Sequence, residues 1–394
     1  MKSRIYKNLA IRSLWMVAAA TALAIQPLSG QARSYKVLYS FTNDLAAGED
    51  PSSSLVRDPK GNLFGIALGG SFGRGIVFEL SNTGQESVLY NFKGSDGDGD
   101  VPDSMSFRDS AGNLFGTTFQ GGAYSFGTIF KLDTQGHETI VYNFCPKTPC
   151  TNGAYPGGVV RGQNGSLYGT TYAGGDYSCD LTGCGTVFRI NRKGVQTFVH
   201  AFGGLDGQDP NAGLVLDEAG NVYGTTQYGG ASGRGAVFKV TAAGQESVEY
   251  SFDGGADGAY PNGGLVRDAE GNLYGTAYQG GTYDCGTIFK ITAFGQFTVL
   301  YTFPGGVTGA NPYADLNLDQ QGNIFGVTST GGAHNFGTIF KLDASGNEEV
   351  LHNFGKERDG VHPSSLIIDA NGNLYGTTYQ GGKYNFGSVF EVVP

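Results

Sequence analysis

The chain has 394 residues, with 67 glycines, 12% aromatic residues, only 15% charged residues and a formal net charge of −10. Glycine at more than twice its usual share of about 7% excludes a coiled coil or an ordinary helical enzyme. The acidic balance excludes a nucleic-acid or anionic-membrane partner, which would require a basic face to neutralise phosphates.

The first element in chain order is a leader. Lys2, Arg4, Lys7 and Arg12 precede an apolar stretch from Leu14 to Ile25 and a small-residue site at Gly30-Gln31-Ala32. This is the layout of a secretory signal peptide cut after Ala32, and the stretch is too short to span a bilayer. Residues 1–32 are therefore expected to be removed and the remainder to reside outside the cytoplasm, secreted or periplasmic. No later apolar run is long enough for a membrane span.

From residue 33 onward the chain is periodic. A segment Val37-Leu38-Tyr39-Ser40-Phe41 comes first, and its relatives, such as Val88-Leu89-Tyr90-Asn91-Phe92, recur along the sequence. Next come Gly-x-x-Pro turns closing at Pro51, Pro102, Pro156, Pro210, Pro261, Pro312 and Pro363, each followed by a short run like Gly264-Leu265-Val266-Arg267-Asp268. The motif G-N-(L/I/V)-(Y/F)-G follows, beginning at Gly61, Gly112, Gly220, Gly271, Gly322 and Gly372, with a G-S-L-Y-G variant at Gly165. A Gly pair and a segment like Gly127-Thr128-Ile129-Phe130-Lys131-Leu132 complete the unit.

Each unit of about fifty residues thus offers four short runs of β-branched, aromatic and aliphatic residues between turn signals, which is the signature of a propeller blade. The predicted fold is all-β: a seven-bladed β-propeller over residues 33–394 with four antiparallel strands per blade. The chain opens on a fourth-type strand and stops after a third-type one. Residues 33–42 are therefore expected to complete blade seven, while 43–394 supply six full blades and three strands of the seventh. That arrangement leaves no unpaired blade edge.

Much of the chemistry in the sequence is consumed by this scaffold. The recurring Phe and Tyr residues read as blade-to-blade packing, and the Asp residues before each G-N (Asp58, Asp109, Asp217, Asp268, Asp319, Asp369) read as turn-formers bonded to nearby amides. His200 and His352 stand where other repeats carry the fourth-strand Tyr. Cys145 with Cys150 and Cys179 with Cys184 bracket two insertions, and local disulfides are the simplest pairing in an oxidising compartment. Cys285 is left over, at the register of Phe126, Phe336 and Phe386, and reads as a small apolar residue.

The two loop types that join strand four to strand one and strand two to strand three emerge on one face of a propeller. Residues that break the repeat there are free to serve a ligand. Before the seven prolines stand Asp50, Val101, Tyr155, Asp209, Tyr260, Asn311 and His362. After them stand Ser52, Asp103, Gly157, Asn211, Asn262, Tyr313 and Ser364. The Gly-Gly loops add Tyr177, Tyr283, Asp284, His334 and Tyr384, among others. A face rich in Tyr, Asp and Asn suits a glycan or an extended peptide, and the expected product is a monomeric, non-catalytic recognition scaffold.

Two other chemistries fit particular residues. His334, His362 and Asp50 come from neighbouring blades, which makes a polysaccharide lyase or hydrolase acting at the same face the alternative function. Asp96, Asp98 and Asp100 alternate as in a calcium loop, but Phe107 stands where the bidentate Glu belongs, so a charged hairpin turn is the first reading and calcium the second.

The repeated G-N-L-Y-G-T-T-Y-x-G-G, G-T-I-F-K-L and V-L-Y-N-F segments resemble the Gloeobacter/Verrucomicrobia (GloVer) tandem repeat of exported bacterial proteins, also called choice-of-anchor repeat proteins. The likeness covers nearly all of residues 35–394. It implies an extracytoplasmic location and a variable mode of surface attachment, and brings no activity or catalytic residues. Because the sequence ends at Pro394 directly after a strand, without a sorting helix, release or periplasmic residence is expected rather than anchoring.

Overall fold

The computed structural model describes residues 34–394, except Asn43, Asp180, Leu181, Asn211, Lys356 and Glu357. The proposed leader and its cleavage site lie outside the described residues. Seven antiparallel sheets follow one another along the chain. Blades one to five each have four strands, as in Gly99–Arg108, Leu114–Gly121, Thr128–Leu132 and Glu138–Asn143 of blade two. In blade six the inner position is split into two short strands, Ala310–Pro312 and Asn317–Leu318, both paired with Ile324–Thr330. In blade seven the outer strand is Ser34–Ser40, antiparallel to Ser388–Val393 with Val37 opposite Phe390.

The motif residues have distinct physical tasks. In each D-x-x-G-N turn the Asp carboxylate accepts backbone and side-chain N–H groups. Asp58 Oδ1 takes the amides of Lys60 and Asn62 at 2.8 and 2.9 Å, and Oδ2 takes the Asn62 side chain at 3.2 Å. Satisfying three donors closes the hairpin. The last Gly of G-N-L-Y-G serves space rather than backbone freedom. Gly275 lies opposite Phe289 in the register, and a Cβ there would come within 2.5 Å of the Phe289 ring. The same clash, at 2.4–2.7 Å, recurs at Gly65, Gly116, Gly169, Gly224, Gly326 and Gly376.

Those third-strand Phe rings form the core between blades. The outer-strand Phe of one blade meets the third-strand Phe of the next edge to face, with centroids 5.0–5.4 Å apart, in all seven junctions from Phe41–Phe78 to Phe354–Phe390. All of these rings are shielded from solvent. Hydrogen bonds between adjacent blades link blades one and two (Met105 N–H to Ser53 Oγ), two and three (Val159 N–H to Ser106 Oγ), four and five (Thr225 Oγ1 of the second strand to Gly263 O) and six and seven (Asn317 Nδ2 to Leu366 O). A further bond, Ser364 Oγ to Pro51 O, joins blade seven to blade one.

A second ring of contacts sits outside the first. At each junction the fourth-strand Tyr, or its His replacement, approaches a residue at the start of the next blade's outer strand. Tyr142 donates to Gln196 at 2.6 Å, Tyr301 to Glu348 at 3.4 Å, and Tyr250 stacks on Phe297 at 3.6 Å while donating to Asp257. At the junction of blades one and two, burial pushes the Glu138 carboxyl up to about 7, with the Asp98 charge adding and Lys93 opposing. A raised carboxyl favours the protonated folded state. The contribution is complete below the ordinary Glu value of 4.5 and is lost as pH rises through about 7. Glu138→Gln should therefore match the parent near pH 5 and exceed it at pH 8 by about 1 kcal/mol, after discounting for partial solvent access. Urea midpoints across pH measure this, and parallel profiles for the two proteins would refute it.

Candidate functional site

The loop-bearing face is assembled by the glycines that punctuate the repeat. In blades two to seven the second Gly of the Gly-Gly pair donates its N–H to the preceding strand-four-to-one loop, as in Gly230 to Gly204 O at 2.9 Å and Gly332 to Gly306 O at 2.7 Å. The Gly before each third strand lies under the proline of the next blade. A Cβ on Gly235 would meet Pro261 Cδ at 2.5 Å, and one on Gly387 would meet Pro51 at the same distance. Both loop types therefore share one surface, with the prolines as spacers between blades.

The seven residues before those prolines all adopt left-handed backbone, with φ between 49 and 58°. Each N–H donates to a carbonyl of the preceding blade, for example Asp50 to Phe386, Tyr260 to Arg234 and His362 to Phe336. This conformation is costly for non-glycine residues, most of all for the β-branched Val101, and persists because the surrounding hydrogen bonds over-determine it. The ring that varies most in sequence is thus rigid in backbone.

Its side chains divide into two groups. Asp209 is buried, Asn311 is tied to Tyr278 O and Thr330 Oγ1, Tyr155 stacks on Phe119 at 4.8 Å, and Tyr260 is engaged by Arg234 and Tyr228. These four support the loops. Asp50 is half-buried, and burial plus its neighbour Glu49 raise its carboxyl. In the Gly-Gly loops, Tyr177 accepts the Cys150 amide at 2.9 Å and Asp284 accepts the Gly280 amide at 2.9 Å, both structural uses. Tyr283, His334 and Tyr384 remain exposed.

His362 and Tyr313 are brought together. They border a cavity of about 560 Å³ that also takes in Tyr278, Tyr379, Ser52 and Ser364, drawn from blades five, six, seven and one. Tyr278 and Tyr313 meet edge to face at 6.4 Å. The His362 Nδ1–H donates to Ser329 O at 3.0 Å, which in the neutral ring leaves Nε2 as an acceptor. Among the described residues lining this cavity there is no carboxylate, Lys or Arg. A second depression of about 670 Å³ continues from His362 and Gln380 toward Arg358, Lys383 and Tyr384.

The inner segments of several blades are displaced by one sequence feature. Blades one, four, five and six carry one more residue between the proline and the buried aliphatic residue (Leu55, Leu214, Leu265, Leu316) than blades two, three and seven. The surplus interrupts ladder pairing, so the inner strands of blades one, four and five shrink to two paired residues such as Val266–Arg267 and that of blade six is split in two, while blade two keeps Gly99–Arg108. The displaced segments meet one another near the axis. Asp315 of blade six accepts the Gly264 amide of blade five at 2.6 Å and lies beside Gly213 of blade four. Asp103 is open to water yet enclosed by its surroundings, and this restricted solvation pushes its carboxyl up to about 6. Its charge also raises the Tyr313 phenol, after burial.

The remaining expectations fall elsewhere. Both local disulfides, Cys145–Cys150 and Cys179–Cys184, are formed, and Cys285 is half-buried with its thiol 3.3 Å from Tyr283 O. Asp98 accepts the amides of Lys93 and Gly99, Asp100 pairs with Arg74 at 2.9 Å and Asp96 is exposed, so the three carboxylates are spent separately. His334 rests beside Gly355, which lines the same depression as His362. Among the described residues, the one group of three His, Cys, Asp or Glu with ligand atoms within 4.8 Å of one another is His200, Asp206 and Glu246.

Sequence reasoning passed over Tyr278 and Tyr379, which occupy the Tyr of the T-T-Y-x-G-G segment. That residue is aromatic in only four of the seven repeats (Phe119, Tyr172, Tyr278, Tyr379), and the sequence reading assigns it to neither the core nor the loops. Its position two residues before the Gly pair, at the strand end nearest the loops, was the available signal.

The Gloeobacter/Verrucomicrobia repeat model matches residues 24–180 and 180–390, and the chain belongs to that family. No curated protein matches the sequence significantly. Among solved structures, the extracellular domain of a hybrid two component system from B. thetaiotaomicron is similar at 11% identity and a TM-score of 0.55, over 91% of this chain and 39% of that one. A gluconolactonase from Xanthomonas campestris (13% identity, TM-score 0.45, 91% and 89% covered) is also similar. So is the PQQ-bound aldose sugar dehydrogenase from Streptomyces coelicolor (14% identity, TM-score 0.48, 92% and 98% covered). At these identities the likeness concerns the fold alone.

Proposed function

We propose that this member of the Gloeobacter/Verrucomicrobia repeat family acts outside the cytoplasm as a recognition module, binding a neutral carbohydrate in the tyrosine-walled cavity at the channel mouth. The observation that carries this reading is the lining of that cavity: three Tyr rings, hydroxyls and one imidazole, with no charged side chain among the described residues. Aromatic faces suit the apolar faces of sugar rings, and the hydroxyls and His362 Nε2 suit their polar edges. Glycoside hydrolysis ordinarily requires two carboxyl groups flanking the scissile bond, a set the cavity lining lacks. The two disulfides support an oxidising compartment, in keeping with the proposed leader.

A glycan array followed by calorimetry on the best hit tests this. Tyr313→Ala and Tyr379→Ala are each expected to weaken binding about tenfold, as loss of a buried aromatic anchor does, with no turnover by the parent. Binding unaffected by either substitution would dismiss the cavity. Product formation that disappears in a His334→Ala, His362→Ala double variant would instead establish the lyase or hydrolase reading.

A further inference from the structure

The outer ring of junctions contains an internal comparison. Five junctions place a Tyr hydroxyl at the blade boundary: Tyr39, Tyr90, Tyr142, Tyr250 and Tyr301. Where a carboxylate faces one of these residues, the phenol is a ready donor, as Tyr301 is to Glu348. Two junctions carry His instead. At the junction of blades six and seven the change is compensated, because Tyr35 takes the place of the facing Glu. Its ring stacks on His352 at 3.7 Å, and His352 pairs with Asp359 at 3.0 Å.

At the junction of blades three and four the change is not compensated. His200 Nε2 faces Asp206 Oδ2 at 2.8 Å, and Glu246 of the next outer strand still presents its carboxylate to the pair. Asp206 Oδ1 is already held by the Gly203 amide at 2.7 Å, which fixes the carboxylate with its other oxygen toward the imidazole. The His200 ring is fixed in turn by edge contact with Phe202 at 4.9 Å. Glu246 Oε1 is shut off from solvent without a hydrogen-bond partner, as is the same oxygen of Glu86, Glu138 and Glu348 at Tyr-bearing junctions, so what sets this junction apart is the imidazole and Asp206 beside the Glu rather than the orphaned oxygen. One imidazole and two carboxylates, with ligand atoms all within 4.8 Å, are left with a deficit of positive charge in a half-buried pocket.

We propose that His200, Asp206 and Glu246 form a binding site for one divalent transition-metal ion, with Zn²⁺ as the best match. A neutral imidazole nitrogen and two carboxylate oxygens are a donor set Zn²⁺ accepts, at about 2.0–2.2 Å, leaving a fourth position for water. A dication balances the two carboxylates that face the single imidazole. Tetrahedral ligation would open the His200–Asp206 contact to about 3.3 Å, a small side-chain adjustment. The ion would clamp the outer strands of blades three and four across a boundary that other blades bridge with a phenol.

The test is titration of the untagged protein with ZnCl₂ at pH 7.5, with Co²⁺ as a spectroscopic substitute. One equivalent is expected to bind, to raise the melting temperature by about 3–5 °C at a hundredfold excess over Kd, and to give the visible Co²⁺ absorption of a low-coordinate nitrogen and oxygen site. His200→Tyr restores the residue found at the other junctions, so the fold is retained, and binding should fall at least a hundredfold. Glu246→Gln, which places at this junction the residue seen at Gln196, should weaken it at least tenfold. Absence of stoichiometric binding, undiminished binding in His200→Tyr, or loss of binding in Cys285→Ser would each overturn the site.

Discussion

A chain lacking residues 34–41 is expected to lose its cooperative unfolding transition and to aggregate. The segment supplies the whole outer strand of blade seven, paired with Ser388–Val393, and carries Phe41, which is fully buried against Phe78 of blade one. Loss of a buried Phe alone costs about 3–5 kcal/mol. Tyr35 and Tyr39, also in this strand, add ring contacts with His352, Phe354 and Phe41. Against a typical total stability of about 5–15 kcal/mol, this is most of what holds the fold. The deletion also bares the edge of Ser388–Val393, an unpaired template for another chain. Calorimetry and size-exclusion chromatography decide the matter: a monomeric deletion product melting at the parental temperature would show that the strand is dispensable.

The second large effect concerns the Gly–Phe pair inside each blade. Phe289→Ala is expected to cost about 3–5 kcal/mol, because the ring is fully buried between Phe252 and Phe297. Gly275→Ala is expected to cost about 1–3 kcal/mol by overpacking, since its Cβ would stand 2.5 Å from the Phe289 ring and 2.8 Å from Leu265 Cδ2. The double variant should cost clearly less than the two losses combined, because the methyl then occupies space the ring has vacated. Strict additivity in urea-unfolding energies would mean that Gly275 is required for its backbone rather than for room.

The acidic side of the stability profile follows from the turns. Asp217 and Asp268 are held below their ordinary value: burial raises them, but the side-chain and backbone hydrogen bonds from Asn221 and Asn272 outweigh it. A depressed carboxyl contributes stability above the unfolded value that is lost as pH falls through the folded one. Glu138 acts in the opposite sense toward neutral pH, so maximal stability is placed between these two limits.

The amino-acid sequence by itself determined the architecture of this protein. Strand count, turn chemistry and blade number all lie in local signals, because each blade repeats the same short-range solution: Asp closes the turn, Gly makes room for Phe, and Pro meets Gly across the junction. Family membership was legible for the same reason, as the motif is this packing written seven times. Both disulfides were legible from local Cys spacing. The site was only partly so. Tyr313 and His362 stand out beside the invariant prolines, whereas Tyr278 and Tyr379 lie on the second strand just outside the loops that hold the repeat-breaking residues, and strand position alone cannot separate a buried ring from one that borders a cavity. Likewise, Tyr155, Tyr260 and Asn311 vary freely in sequence yet are claimed by Phe119, Arg234 and Thr330. Which side chains face a cavity depends on contacts between blades about fifty residues or more apart, and on one surplus residue that buckles four inner strands. The same is true of His200, Asp206 and Glu246: in sequence they are a substituted Tyr, a loop acid and a strand-end Glu, and only the stacking of blade four against blade three turns them into a single set of ligands.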